Sequence, residues 1–168
     1  MRRALRLQPA SKEAPTSELT LNWSGDLRFT TTTPSGHELT IDSHVTGEGA
    51  GPTPMELQLV ALAGCGAMDV ISVLRKMRQE ITAYQVTVAA TRAEEHPRVY
   101  RTATITHRVR GRGVREQAVK RAIALSMARY CPVYAMLHPT VEISERYEMT
   151  DETTGATSGG SVTPADAA

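Results

Sequence analysis

Apolar and polar positions alternate in short runs through the first third of the chain. Leu27 to Thr33 and Glu38 to Asp42 read as strands joined by Pro34-Ser35-Gly36-His37, and proline then glycine between β-rich runs predicts a hairpin. A preceding strand is expected over Leu19 to Trp23, and a glycine-rich loop runs from Gly47 to Gly51. The pattern then changes period. Thr53, Pro54 and Glu56 stand at N-cap, N1 and N3, a capping box with proline where its missing N–H costs nothing. The residues that follow are apolar almost all round and end in Arg75, Lys76 and Arg78, cations suited to a helix C-terminus. This predicts a long central helix over Pro54 to Gln79, enclosed on every face by sheet or by a second subunit.

Alternation returns over Tyr84 to Glu94 and over Tyr100 to Val109, where Ala103, Ile105 and His107 share one face. Gly111-Arg112-Gly113 breaks it. Val114 to Tyr130 has apolar residues at helical spacing, Pro132 restarts a short helix to Leu137, and Val141 to Tyr147 makes a last strand. From Thr150 the chain is Thr, Gly, Ser and Ala without periodicity. The expected organisation is a flexible arm over 1–17, one domain over 18–148 and a disordered tail over 149–168.

Composition narrows the function classes. A chain of 168 residues can bury one core, and a net charge of +1 gives no reason to expect a polyanion. One Trp and one Phe are too few for a base-stacking surface, and the basic run Arg108 to Arg115 is met by Glu116, so it reads as a solvated turn. No nucleic-acid partner is expected. Two cysteines point to a reducing compartment. The basic N-terminus has no apolar run behind it. The longest charge-free apolar run, Leu57 to Met68, falls short of the ~20 residues of a membrane span. The expected location is the cytoplasm, with no membrane partner.

The two cysteines carry the candidate chemistry. Cys65 sits between glycines on the apolar helix, where a cysteine is ordinarily a small core residue. An apolar wall disfavours a thiolate, and so does Asp69 one turn on. A reactive Cys65 therefore needs a cation, and Arg75 is the nearest one on the helix. Cys131 directly precedes Pro132 at an N-cap, where helix N–H groups favour a thiolate. Glu56 lies nine residues before Cys65, roughly 13 Å along a straight helix and on its other side. Either the helix breaks near Gly64 and Gly66, or Glu56 serves the cysteine of another subunit; the second is expected. The five histidines show no ligand spacing, so no metal site is expected. Tyr84 and Tyr130 read as core-edge residues.

Gly51-Pro52-Thr53-Pro54-Met55-Glu56-Leu57, Gly64-Cys65-Gly66-Ala67-Met68-Asp69-Val70 and Tyr130-Cys131-Pro132 together resemble the OsmC/Ohr family, over about Leu19 to Tyr147. The resemblance implies an α+β fold with antiparallel sheets wrapped around the long helix, and an intertwined homodimer with thiol peroxidase sites at its interface. It implies that Cys65 attacks an organic hydroperoxide and Cys131 resolves it as a disulfide. It implies no bound cofactor, with an external dithiol of lipoyl type as reductant. In that family an arginine from the N-terminal strands, paired with the glutamate at the helix start, faces the thiolate; Arg28 and Glu56 match by position. Ser35-Gly36-His37, the Cys65 to Val70 run and Glu95 to Tyr100 are nearer to a less characterised branch. The expected function is organic hydroperoxide reduction in oxidative-stress defence. Its rivals are a small-ligand binder, a redox sensor, or a purely structural cysteine pair.

Overall fold

The structure, a computed structural model, describes residues 16–43 and 49–167. The chain divides into two compact units, residues 1–54 and 55–168, where one domain over 18–148 was expected. Nearly all of the expected N-terminal arm, and the start of the glycine-rich loop, lie outside the described residues.

The first unit is a three-stranded antiparallel sheet of β1 (Asn22–Trp23), β2 (Phe29–Thr32) and β3 (Glu38–Ile41), in that order. The predicted hairpin closes with Gly36 N–H donating to Thr33 O, and Gly36 has φ +87°, a conformation that favours glycine. Asp42, just beyond β3, is buried. Its carboxylate accepts from Arg28 Nε at 2.9 Å, Ser43 N–H at 2.7 Å and Ala50 N–H at 3.0 Å. The Ala50 amide first, then the Arg28 guanidinium, hold this carboxyl down at about 2.

The second unit carries α1 (Pro54–Lys76), nearly all of which falls within it, then β4 (Glu80–Arg92) and β5 (Tyr100–Arg112). A crossover follows: α2 (Glu116–Leu125), a wide π turn (Ser126–Tyr130) and α3 (Pro132–Leu137). It leads to β6 (Glu142–Asp151), β7 (Thr157–Val162) and a closing 3₁₀ turn (Pro164–Ala167). The sheet order is β4-β5-β6-β7. Its pairs are antiparallel except β5 with β6, which run parallel, so the expectation of antiparallel sheets holds only in part. The helical crossover is the cause: it carries the chain back to the end of the sheet where β5 began.

One further expectation is corrected. The tail beyond residue 149 is not disordered: β6 runs on to Asp151, and β7 pairs Val162 with Glu145 and Thr157 with Thr150. Thr-Ser-Gly-Gly-Ser-Val has no apolar alternation because main-chain pairing places this strand, with Val162 its one buried side chain. The expectation that α1 is enclosed by sheet or by a second subunit is met only in part within one chain. Leu62, Val70, Val73 and Leu74 are buried, while Val60 and Met68 are 63% and 75% exposed. By length and apolar composition α1 also qualifies as a membrane span, against the sequence expectation, although a core helix meets the same test.

The core of the second unit has two parts. Val70, Val73 and Leu74 of α1 join Val119, Ala122 and Ile123 of α2 against Val109, Tyr147 and Met149 of the sheet. Leu62 joins Tyr100, Ala103, Ile105 and Val141. The inward stripe of β5 is therefore the one its alternation predicted, and α1 spans both clusters. That double anchorage fixes the helix that presents Cys65.

Candidate functional site

Cys65 and Asp69 lie four residues apart, on one face of α1. The crossover brings Cys131 to them. The Cys65 and Cys131 sulfurs and an Asp69 carboxylate oxygen all lie within 4.8 Å of one another, and both thiols are free. Cys131 is buried and Cys65 half-buried.

The local sequence explains how Cys131 is held. The last turn of the second helix widens so that Cys131 N–H donates to Ser126 O at 2.9 Å, five residues back. Such wide turns recur at functional positions. Cys131 then takes an extended conformation, φ −75° and ψ 103°, and caps α3, with Pro132 at the first helical position. Its sulfur accepts from Tyr134 N–H at 3.3 Å. The N-cap read from Tyr130-Cys131-Pro132 is present.

Its expected consequence is not. Burial pushes the Cys131 thiol up to about 12, and a hydrogen bond to Cys65 adds to this. The Tyr134 and Val133 amides pull the other way and lose. An N-cap amide is worth less here than the desolvation of a thiolate. Cys131 thus holds its proton, with its S–H placed to donate to the Cys65 sulfur.

Asp69 has its own support, since Ser126 Oγ donates to Asp69 Oδ2 at 3.0 Å. Ser126 reads in the sequence as one more core-spaced residue, and nothing there marks it as a partner of Asp69. The glycines around Cys65 are not demanded by packing within the chain. A Cβ at Gly64 would meet nothing within 4 Å, and one at Gly66 only Ser126 Oγ at 3.9 Å.

The remaining predicted residues stand elsewhere. α1 runs unbroken from Pro54 to Lys76, so Gly64 and Gly66 do not kink it. Glu56 is an exposed residue of its first turn and does not reach Cys65 of the same chain. Arg28 belongs to the first unit, paired with Asp42. Within residues 55–168, the groups that shift Cys131 include no cation.

A second polar cluster escaped the sequence reading. His107 and Glu145 are buried, with His107 Nε2 2.7 Å from Glu145 Oε2 and His107 Nδ1 2.6 Å from the Tyr84 hydroxyl. Burial, then the Glu145 charge, push Tyr84 well above the usual phenol range. The one signal was His107 at an inward position of β5. Two thiols and one carboxylate, at Cys65, Cys131 and Asp69, form the one metal-capable group among the described residues, and it contains no histidine.

Comparison with known proteins places this geometry. A family whose sequence model is described as OsmC-like protein matches residues 47–146. Protein YhfA of Escherichia coli K12 is 38% identical over 129 residues, covering 77% of this chain and 95% of that protein. A crystal structure of a hypothetical protein from Aquifex aeolicus VF5 is 32% identical with a TM-score of 0.74, covering 83% of this chain and 99% of that one. The organic hydroperoxide resistance protein OhrB of Bacillus subtilis is 16% identical with a TM-score of 0.54, covering 79% and 97%. At that identity the likeness is one of fold.

Proposed function

Because the chain belongs to the OsmC family, we propose that it is a thiol peroxidase that reduces organic hydroperoxides through a Cys65–Cys131 disulfide cycle. One observation carries this reading: two free thiols distant in sequence stand within 4.8 Å of each other at the junction of α1 and α3. A solved relative of the same fold is an organic hydroperoxide resistance protein, which supports the choice of substrate.

In this mechanism the Cys65 thiolate attacks the distal peroxide oxygen. The O–O bond breaks, Cys65 becomes a sulfenic acid, and the alkoxide leaves as alcohol after taking a proton. The Cys131 thiol then attacks the Cys65 sulfur, forming the disulfide and releasing water. Two electrons have gone to the peroxide, and an external dithiol of lipoyl type returns them by exchange. A buried, protonated Cys131 is shielded from direct oxidation until Cys65 presents a sulfenic acid, and its proton then leaves with the sulfenic oxygen as water.

The reading includes a second copy of the chain. Val60 and Met68 leave an apolar face on α1, and the flanking glycines leave room beside Cys65. In the proposed homodimer Glu56 and an arginine, by position Arg28, reach the thiolate across the interface, and the arginine supplies the cation that a thiolate on this apolar helix needs. The helix is then covered by protein in the cytoplasm, not by lipid.

One equivalent of cumene hydroperoxide followed by mass spectrometry tests the proposal. The wild-type chain should lose two hydrogens in a Cys65–Cys131 disulfide, and the Cys131→Ser variant should gain one oxygen at Cys65. Thiols left unmodified would end the reading. Asp69 beside both sulfurs favours one rival, a slow redox sensor. Multiple turnovers with dihydrolipoamide separate the two, since a sensor oxidises once and stops.

A further inference from the structure

The second unit holds a cavity of about 590 Å³ away from the cysteines, at the tip of the β4–β5 hairpin. Met55, Tyr100, Leu137 and Val141 give it an apolar floor, and Arg92, Arg98 and Arg101 stand around it. Its volume is within the range of small-molecule pockets.

The lining itself is cationic. Among the described residues no acidic group pairs with Arg92, Arg98 or Arg101. Arg92 Nε donates to Arg98 O at 2.8 Å, which fixes its stem and leaves the end of the guanidinium open. Glu94 and Glu95, in the same hairpin loop, do not line the cavity. Glu94 shares a surface pocket with Arg92 and Arg98, Glu95 shares one with Arg101, and Glu56 acts on Tyr100; within the lining itself no carboxylate stands, so an anion there meets three cations.

The floor adds selectivity. The Tyr100 hydroxyl is already committed to Met55 O at 2.8 Å, so this residue offers its ring and not its donor. Polar recognition is left mainly to the arginines. Gln58, the lining residue of α1 nearest to Cys65, precedes it by seven residues, roughly 10 Å of helix, with buried Leu62 between them. The cavity is therefore separate from the thiol site.

We propose that this cavity binds an amphiphilic anion, a short apolar chain ending in a carboxylate or phosphate. Arginine suits either head, because its fork of donors matches two oxygens at once.

Isothermal titration of the full chain with octanoate and with octyl phosphate tests this, against octanol and acetate. Both amphiphilic anions should bind, with octanol and acetate at least about tenfold weaker. The tighter of the two heads identifies the source as an organic acid or a phosphate ester. An Arg98→Gln, Arg101→Gln double variant should lose about tenfold in octanoate affinity with its unfolding midpoint unchanged, and added salt should weaken binding to the wild type. Cys65→Ser should bind octanoate as the wild type does, whatever becomes of the peroxidase. Octanol binding as tightly as octanoate, full affinity in the double variant, loss of binding in Cys65→Ser, or no binding at all would overturn the proposal.

Discussion

An Asp69 carboxylate oxygen lies within 4.8 Å of the sulfurs of both Cys65 and Cys131, and Ser126 holds that carboxylate through a 3.0 Å hydrogen bond. An ionised carboxylate so close disfavours a thiolate beside it. Asp69→Asn keeps the shape and an acceptor for Ser126 while removing the charge. The rate of Cys65 alkylation by iodoacetamide at pH 7 should rise about three- to tenfold, the size expected when a neighbouring charge is lost. An unchanged or slower rate would show that Asp69 does not control this thiol.

Cys131 should behave as a thiol held protonated. With burial pushing it up to about 12, its alkylation should climb about tenfold per pH unit between pH 8 and 11, where an ordinary thiol levels off near 9. Peptide mapping of labelled protein reads this directly. The sign for stability follows. A folded-state value raised above the ordinary 9.0 contributes stability that is intact below pH 9 and is lost as pH rises toward 12. Unfolding midpoints measured across that window should fall, and should fall less in Cys131→Ser.

The buried Tyr84–His107–Glu145 chain predicts a cost without a change in chemistry. Glu145→Leu strands His107 Nε2 in the core, and an orphaned buried polar group costs about 1–3 kcal/mol. Glu145→Gln keeps a hydrogen-bonding partner and should cost less. Urea unfolding separates the two variants, and the yield of the Cys65–Cys131 disulfide should match wild type in both. Loss of disulfide formation in a folded Glu145→Gln chain would place this network in the redox reaction instead.

The elements that sequence made legible are those whose side chains carry the signal. Period-two alternation located the inward stripe of β5, and proline at N1 located both α1 and α3. β7 was illegible because its place is set by backbone pairing to β6, and a Thr-Ser-Gly-Gly run bears no trace of that. The same limit applies at the site. The N-cap of Cys131 is local and was readable. The burial that outweighs it depends on α1, which meets Cys131 only in three dimensions. Ser126 became a partner of Asp69 through a widened helix turn, and a hydrophobic pattern does not distinguish that turn from a regular one.

The parallel pairing of β5 with β6 is also the long-range seam of the sheet. Thr102 meets Glu142 across that seam, whereas β4 and β5 are sequence neighbours that can zip from their shared turn. Local pairs form ahead of distant ones because the distant ones must first close a long loop. Cys131 lies on the segment that spans this loop, so the meeting of the two sulfurs depends on a long-range closure and not on a local one. A chain in which that loop is still open offers two separate thiols, and the approach of one sulfur to the other reports on the tertiary fold around them.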